Sequence, residues 1–219
     1  GPPRLGRAAG DGQAAGLAAD VRGPRFRRSS MAEETGIGAL FKGTSVVRRS
    51  GEAVSVITVL KDKTVLLYFA ASWAEPCIHF TPLLAKFYDM VRAVDDSIVI
   101  IFVSRDRSAE EQSTFFNDGG MHAEWLMAAR SDEPGDIMIA LNVENIPSLV
   151  LVGRDGRGVV KNAREQLSDL LEDGQGRLID PDKARPAVAA KWDEWRRLAM
   201  AWRSPGGQAT QGGSSSSSG

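Results

Sequence analysis

The sequence predicts an α/β fold, a central sheet covered by helices. Two observations carry this. Residues 64–71 and 98–103 are nearly unbroken apolar runs of strand length, as strands buried on both faces are. Segments of helical spacing alternate with them along the chain.

Residues 45–49 and 53–57 flank Ser50, Gly51 and Glu52, which reads as a hairpin. The strand at 64–71 follows. Next comes a helix on which Cys77, Phe80, Leu84, Phe87, Tyr88 and Val91 share a face. Pro76 sits in its first turn, where a missing N–H costs nothing. Pro82 lies inside and is expected to kink it. After the strand at 98–103, Ser108, Ala109, Glu110 and Glu111 have the pattern of a capping box. That helix is expected to end at Asn117, Asp118, Gly119 and Gly120. A short helix at 134–141, a strand at 148–152, a turn at 154–157, an outer strand at 158–161 and a helix at 163–171 complete the body.

A last helix is expected over 182–203. Trp192, Trp195, Leu198, Ala199 and Trp202 are assigned to one face. That face either docks on the protein's own sheet or serves as a partner-binding surface, because Trp is a common interface anchor.

The 219 residues are 42% hydrophobic, enough to fill the core of one domain with tails. Lys+Arg (27) and Asp+Glu (28) nearly cancel, so the charge balance argues against a nucleic-acid binder. No run approaches the ~20 apolar residues of a membrane span. Cys77 is the only cysteine, so no internal disulfide can form and a cytoplasmic setting is the default. With only His79 and His122 to join it, no metal cluster is expected. Residues 1–30 are rich in Arg, Gly and Ala. They read as a disordered leader, either a non-native or upstream extension or, as Arg-rich and acid-poor composition allows, a mitochondrial transit peptide. Residues 204–219, rich in Ser, Gly and Gln, are expected to be disordered.

The motifs narrow the fold. Trp73, Ala74, Glu75, Pro76 and Cys77 follow a buried strand and open a helix, and Ile146 and Pro147 precede another strand about seventy residues later. This arrangement resembles the thioredoxin fold, and residues 40–181 resemble its tryparedoxin and nucleoredoxin members. The finer matches are the helix Phe80-Thr81-Pro82-Leu83-Leu84, the run Val103-Ser104-Arg105-Asp106, the pair Trp125-Leu126 and the run Asn142-Val143-Glu144-Asn145-Ile146-Pro147. The resemblance implies a central mixed β-sheet flanked by helices, with an N-terminal hairpin. It also implies a cis bond before Pro147, and a groove at Trp73, Glu75, Pro76, Ile146 and Pro147.

The family places its attacking cysteine where this chain has Ala74, and its resolving cysteine where it has Cys77. A thiolate must start thiol–disulfide exchange, and alanine has none. Three consequences stay open. Cys77 is an inert core residue in a protein-binding or structural module. Alternatively it is a monothiol that pairs with glutathione-type thiols or a partner. Or Ala74 replaces a cysteine in an engineered form of an active oxidoreductase. No cofactor is expected. The helix over 182–203 departs from the short ending of tryparedoxins.

Overall fold

The computed structural model describes residues 36–130 and 136–201. Trp202 and the two tails lie outside them. A 3-10 turn at Gly36–Phe41 leads to β1 (Val46–Val47) and β2 (Ala53–Val54), an antiparallel pair. The remaining elements are α1 (Val56–Val59), β3 (Thr64–Ala70), α2 (Glu75–Arg92), β4 (Ile98–Ser104), α3 (Ala109–Asp118), β5 (Leu126–Ala128), α4 (Asp136–Leu141), β6 (Ser148–Val152), β7 (Gly158–Val160), α5 (Ala163–Leu171) and α6 (Pro181–Ala201).

The strands form one sheet of seven in the order β2-β1-β5-β4-β3-β6-β7. β3 runs parallel to β4 and antiparallel to β6. β4 runs parallel to β5. This is the mixed, helix-flanked sheet of the thioredoxin fold. Every residue of β3 is buried. The strand's period of two sends Leu66, Tyr68 and Ala70 to the face under α2, and Val65, Leu67 and Phe69 to the face under the 3-10 turn and α4.

Three elements differ from the sequence expectation. The second hairpin strand stops at Val54, and from Ser55, at the N-cap position, Val56, Ile57 and Thr58 turn into a short helix. β-Branched residues favour strands, but tertiary packing overrides that weak preference here. The short strand β5 had no clear sequence signal. It exists because Val46 and Val47 on one side and Ile101 and Phe102 on the other pair with it. In the last helix the buried stripe is Ala184, Val188, Trp192, Trp195 and Ala199. Leu198, which was assigned to that face, is 40% exposed. Steps of three and four from Ala184 follow the true 3.6-residue turn and leave Leu198 beside the stripe.

The expected capping box opens α3. Ser108 Oγ accepts from Glu111 N at 3.0 Å, while Glu111 Oε2 accepts from Arg107 N at 2.9 Å. Asn142 adopts φ 53° just after α4, the left-handed conformation that Asn tolerates at a helix end. α2 runs through Pro82 without interruption.

α6 lies on α2 and α5. Phe87 of α2 meets Trp192 with ring centroids 6.3 Å apart and Trp195 at 5.7 Å. Both indoles also find polar partners. Trp192 Nε1 donates to Asp95 Oδ2 at 2.7 Å, and Trp195 Nε1 donates to Gln166 Oε1 at 3.2 Å. Arg196 forms an ion pair with the same Asp95 carboxylate, and Ser97 N donates to it. Trp192 and Trp195 are therefore anchors of the protein's own core. The partner-facing role considered for them is incompatible with their burial.

Partial burial of Asp95 works to raise its pKa. The hydrogen bonds from Trp192, Ser97 and Arg196 together outweigh it and hold the carboxyl well below the ordinary range. A carboxyl with a depressed folded pKa stabilises above its unfolded pKa of about 3.9 and loses that contribution as pH falls. On moving from pH 6 to pH 2 the parent should therefore lose more unfolding free energy than Asp95→Asn, in urea titrations at each pH. Trp195→Ala should cost about 3–5 kcal/mol at neutral pH in the same assay, because it empties a buried indole site.

Candidate functional site

β3 and β4 point the same way and β6 points the opposite way, so the exits of the first two and the entry of the third share one edge of the sheet. The register makes this concrete. Ala70 pairs with Ser104, and Phe69 pairs with Ser148. The chain segments at 71–74, 104–107 and 145–148 therefore meet there.

A buried carboxylate ties the first two segments together. Asp106 Oδ1 accepts from Ser72 N at 2.7 Å and from Ser72 Oγ at 2.8 Å, while Oδ2 accepts from Ser104 Oγ at 2.8 Å. Arg105 N donates to Ala70 O at 2.8 Å, and Trp73 Nε1 donates to Arg105 O at 3.2 Å. The Trp73 ring nonetheless stays 55% exposed. Residues 72 and 73 are thus pinned while the indole face remains open.

The pinned loop delivers the chain into α2. Ala74 is the N-cap in an extended conformation, and its carbonyl accepts from Cys77 N at 2.8 Å and from Ile78 N at 3.3 Å. Alanine offers no side-chain oxygen for the free N–H groups of the first turn. Pro76 occupies that turn, as expected. Glu75 and His79 are solvent-facing neighbours on it, with Oε1 and Nε2 3.6 Å apart. Water screens a pair exposed to this degree.

Cys77 lies one turn in and is fully buried. Burial pushes its thiol pKa up, a hydrogen bond with the Ala71 backbone works the other way, and the nearby Asp106 carboxylate pushes it up again. The position thus favours a neutral thiol. Beneath it, Thr81 Oγ1 donates to Cys77 O at 2.8 Å, and Tyr68 Oη lies 2.9 Å from Thr81 Oγ1. Burial also raises the pKa of the Tyr68 phenol.

The third segment carries Ile146 and Pro147, joined by a cis peptide bond. Ile146 is partly buried against the hydrophobic clusters on both faces of the sheet. Two clefts flank this region. One of about 350 Å³ lies between the start of α2 and α5, lined by Glu75, Pro76, His79, Phe80 and Arg164. The other, of about 450 Å³, is lined by residues 141–148 with Lys161 and Arg164. Arg164 borders both, its guanidinium carbon 5.9 Å from the Phe80 ring centre.

The structure thus brings Trp73, Ala74, Glu75, Pro76 and Cys77 to the sheet edge that also carries Ile146 and Pro147. Trp192 and Trp195 belong to a different face. Asp106, Tyr68, Thr81 and Arg164 were missed by sequence reasoning. Asp106 had a signal, an acid placed just after a strand among serines and arginines. Arg164 had none, because its place depends on where α5 crosses. Among the described residues no group of three or more His, Cys, Asp or Glu side chains is arranged to hold a metal ion. None of the described helices is long and apolar enough to cross a membrane.

Comparison with known proteins places this geometry. A family model described as thioredoxin-like matches residues 62–158. Probable nucleoredoxin 1 of Arabidopsis thaliana is 28% identical over 150 residues, covering 68% of this chain and 25% of that protein. The chain therefore spans about a quarter of that curated relative. Tryparedoxin of Trypanosoma brucei brucei is 29% identical over 135 residues, which cover 61% of this chain and 88% of it. The solved structure of tryparedoxin II from C. fasciculata superposes with a TM-score of 0.54 at 30% identity, covering 61% of this chain and 87% of that one. The buried strand, the helix start with Trp73 and Cys77, and the cis bond before Pro147 all lie within residues 62–158, and the chain belongs to the thioredoxin superfamily, among its tryparedoxin- and nucleoredoxin-like members.

Proposed function

We propose that this domain is a binding module that uses the thioredoxin-type groove without completing a dithiol cycle. One observation carries the reading. Ala74 stands at the N-cap of α2, where the attacking cysteine of the family would stand, and the chain's single thiol is fully buried beneath it. Disulfide reduction by a dithiol needs a first thiolate to form a mixed disulfide and a second to displace the product, leaving the two protein sulfurs bonded. One sulfur cannot do both.

The surrounding surface supports recognition. Trp73 offers an open indole face, and Ile146 and Pro147 enter the sheet at the same edge. Arg164 supplies positive charge between the two clefts. One solved structure of tryparedoxin II holds glutathionylspermidine. A peptide-like thiol compound of that kind is a reasonable small occupant here, alongside an extended protein segment. The alternative of monothiol chemistry at Cys77 is disfavoured by the burial that keeps its thiol neutral. Trp192 and Trp195 of α6, being buried, contribute stability to the module rather than a docking surface.

In a dithiothreitol-driven insulin-reduction assay, the parent chain should turn over no faster than Cys77→Ser. Parent turnover above that control would sink the non-catalytic reading. Ala74→Cys should gain at least about tenfold over the parent, because it restores the two-thiol relay. Asp106→Ala should lower unfolding free energy by about 1–3 kcal/mol, because the buried Ser72 N–H and the serine hydroxyls lose their shared acceptor. Asp106→Asn should lose less, since one carbonyl oxygen remains to accept.

A further inference from the structure

Resting on the binding reading above, the charge around Trp73 narrows what kind of partner the face takes. Arg105 and Arg107 are exposed on the loop that follows β4. Among the described residues, theirs are the only arginine side chains without a polar partner. Every other one forms an ion pair or donates to a backbone carbonyl. Arg105 and Arg107 flank in sequence the one residue, Asp106, that locks the site loop.

A third arginine joins them. Arg130 Nη1 donates to Asp106 O at 2.7 Å, which brings its guanidinium to the same loop. The Trp73 indole is fixed to that loop through Arg105 O. The Asp106 carboxylate does not neutralise the arginines from the surface. It is buried, with both oxygens engaged by Ser72 and Ser104. An exposed aromatic plate is thus hydrogen-bonded to a loop that carries two exposed arginines without a polar partner among the described residues and is joined by a third, in a chain whose formal net charge is only −1.

We infer that the Trp73 face recognises an acidic peptide segment, with carboxylates on Arg105, Arg107 and Arg130 and an apolar side chain on the indole. Guanidiniums suit carboxylates because their planar forks give two parallel hydrogen bonds. A long polyanion fits less well. Glu110 and Glu111 open α3 directly beyond Arg107, and the exposed Glu75 opens α2 two residues after Trp73. The positive patch is short and bounded by acids. That accommodates a few carboxylates and repels a backbone with one phosphate per step.

The test uses the full chain and three fluorescein-labelled peptides that share an apolar centre and differ only in their flanks, glutamate, glutamine or lysine. A labelled oligothymidine is the fourth probe. Fluorescence anisotropy at low salt should show the glutamate peptide binding at least about tenfold tighter than the glutamine peptide, with the gap closing near 0.5 M salt. The lysine peptide should bind weakest. Arg105→Gln with Arg107→Gln should bring the glutamate peptide down to the glutamine level. The pair Arg48→Gln with Arg154→Gln, on arginines already in ion pairs, should leave the preference intact. Thermal midpoints should stay near the parent value in both double variants, because neither fills a core site.

Equal binding of the glutamate and glutamine peptides would overturn the inference, as would a preference that survives loss of Arg105 and Arg107. Tighter binding of the oligothymidine than of the glutamate peptide, or binding of no peptide, would overturn it too. Trp73→Ala separates the two proposals. If it weakens every peptide equally while no acid preference exists, the groove reading stands and only the acidic partner falls. If it changes no peptide's affinity, both fall.

Discussion

β3 is the constraint on which the rest depends. All of its side chains are buried, and its two edges are occupied by β4 and β6. Such a strand has no freedom of register, because a slip by one residue would exchange Leu66 and Tyr68 for Leu67 and Phe69 on opposite faces. The fixed register sets where the chain leaves the sheet at Ala71. It also sets which parts of the β4 and β6 connections stand beside that exit. The site is therefore a consequence of sheet topology first and of its own residues second.

α6 packs on the same face of the sheet as α2. α2 packs on the sheet and, alongside it, against the α6 tryptophans, with Phe87 as the shared contact. The Asp95 carboxylate binds α6 at the far end of α2 from Cys77. An indole pair with satisfied N–H groups buries a large apolar area without the cost of an unpaired donor. The helix thus makes α2 a stiffer member than packing on one face alone would.

Much of this was legible in the sequence. The long apolar runs gave the two central strands, and helical spacing from Cys77 to Val91 gave α2. The pairing of the Trp73 segment with Ile146 and Pro147 gave the site edge. What stayed hidden had a physical reason in each case. β5 has too few residues for a periodic signal and is held by its neighbours. α1 follows its contacts, against the preference of β-branched residues. The assigned α6 face kept Trp192, Trp195 and Ala199 and lost Leu198, because the i+6 position lies off a stripe that follows the 3.6-residue turn. Arg164 acts through its place on another element, about which local pattern carries no information; the local pattern at Asp106 marked the residue but not its partner Ser72, 34 residues away.

The burial of Cys77 makes the protein its own timekeeper. As the chain's sole sulfhydryl, it offers a single labelling site shielded from solvent by the first turns of α2. A thiol-specific reagent can reach it only when that region opens. The dependence of the labelling rate on reagent concentration therefore separates the opening equilibrium from the opening rate, as amide exchange does for backbone hydrogens. With alanine at position 74 and no second cysteine in the chain, this clock runs free of a competing thiol.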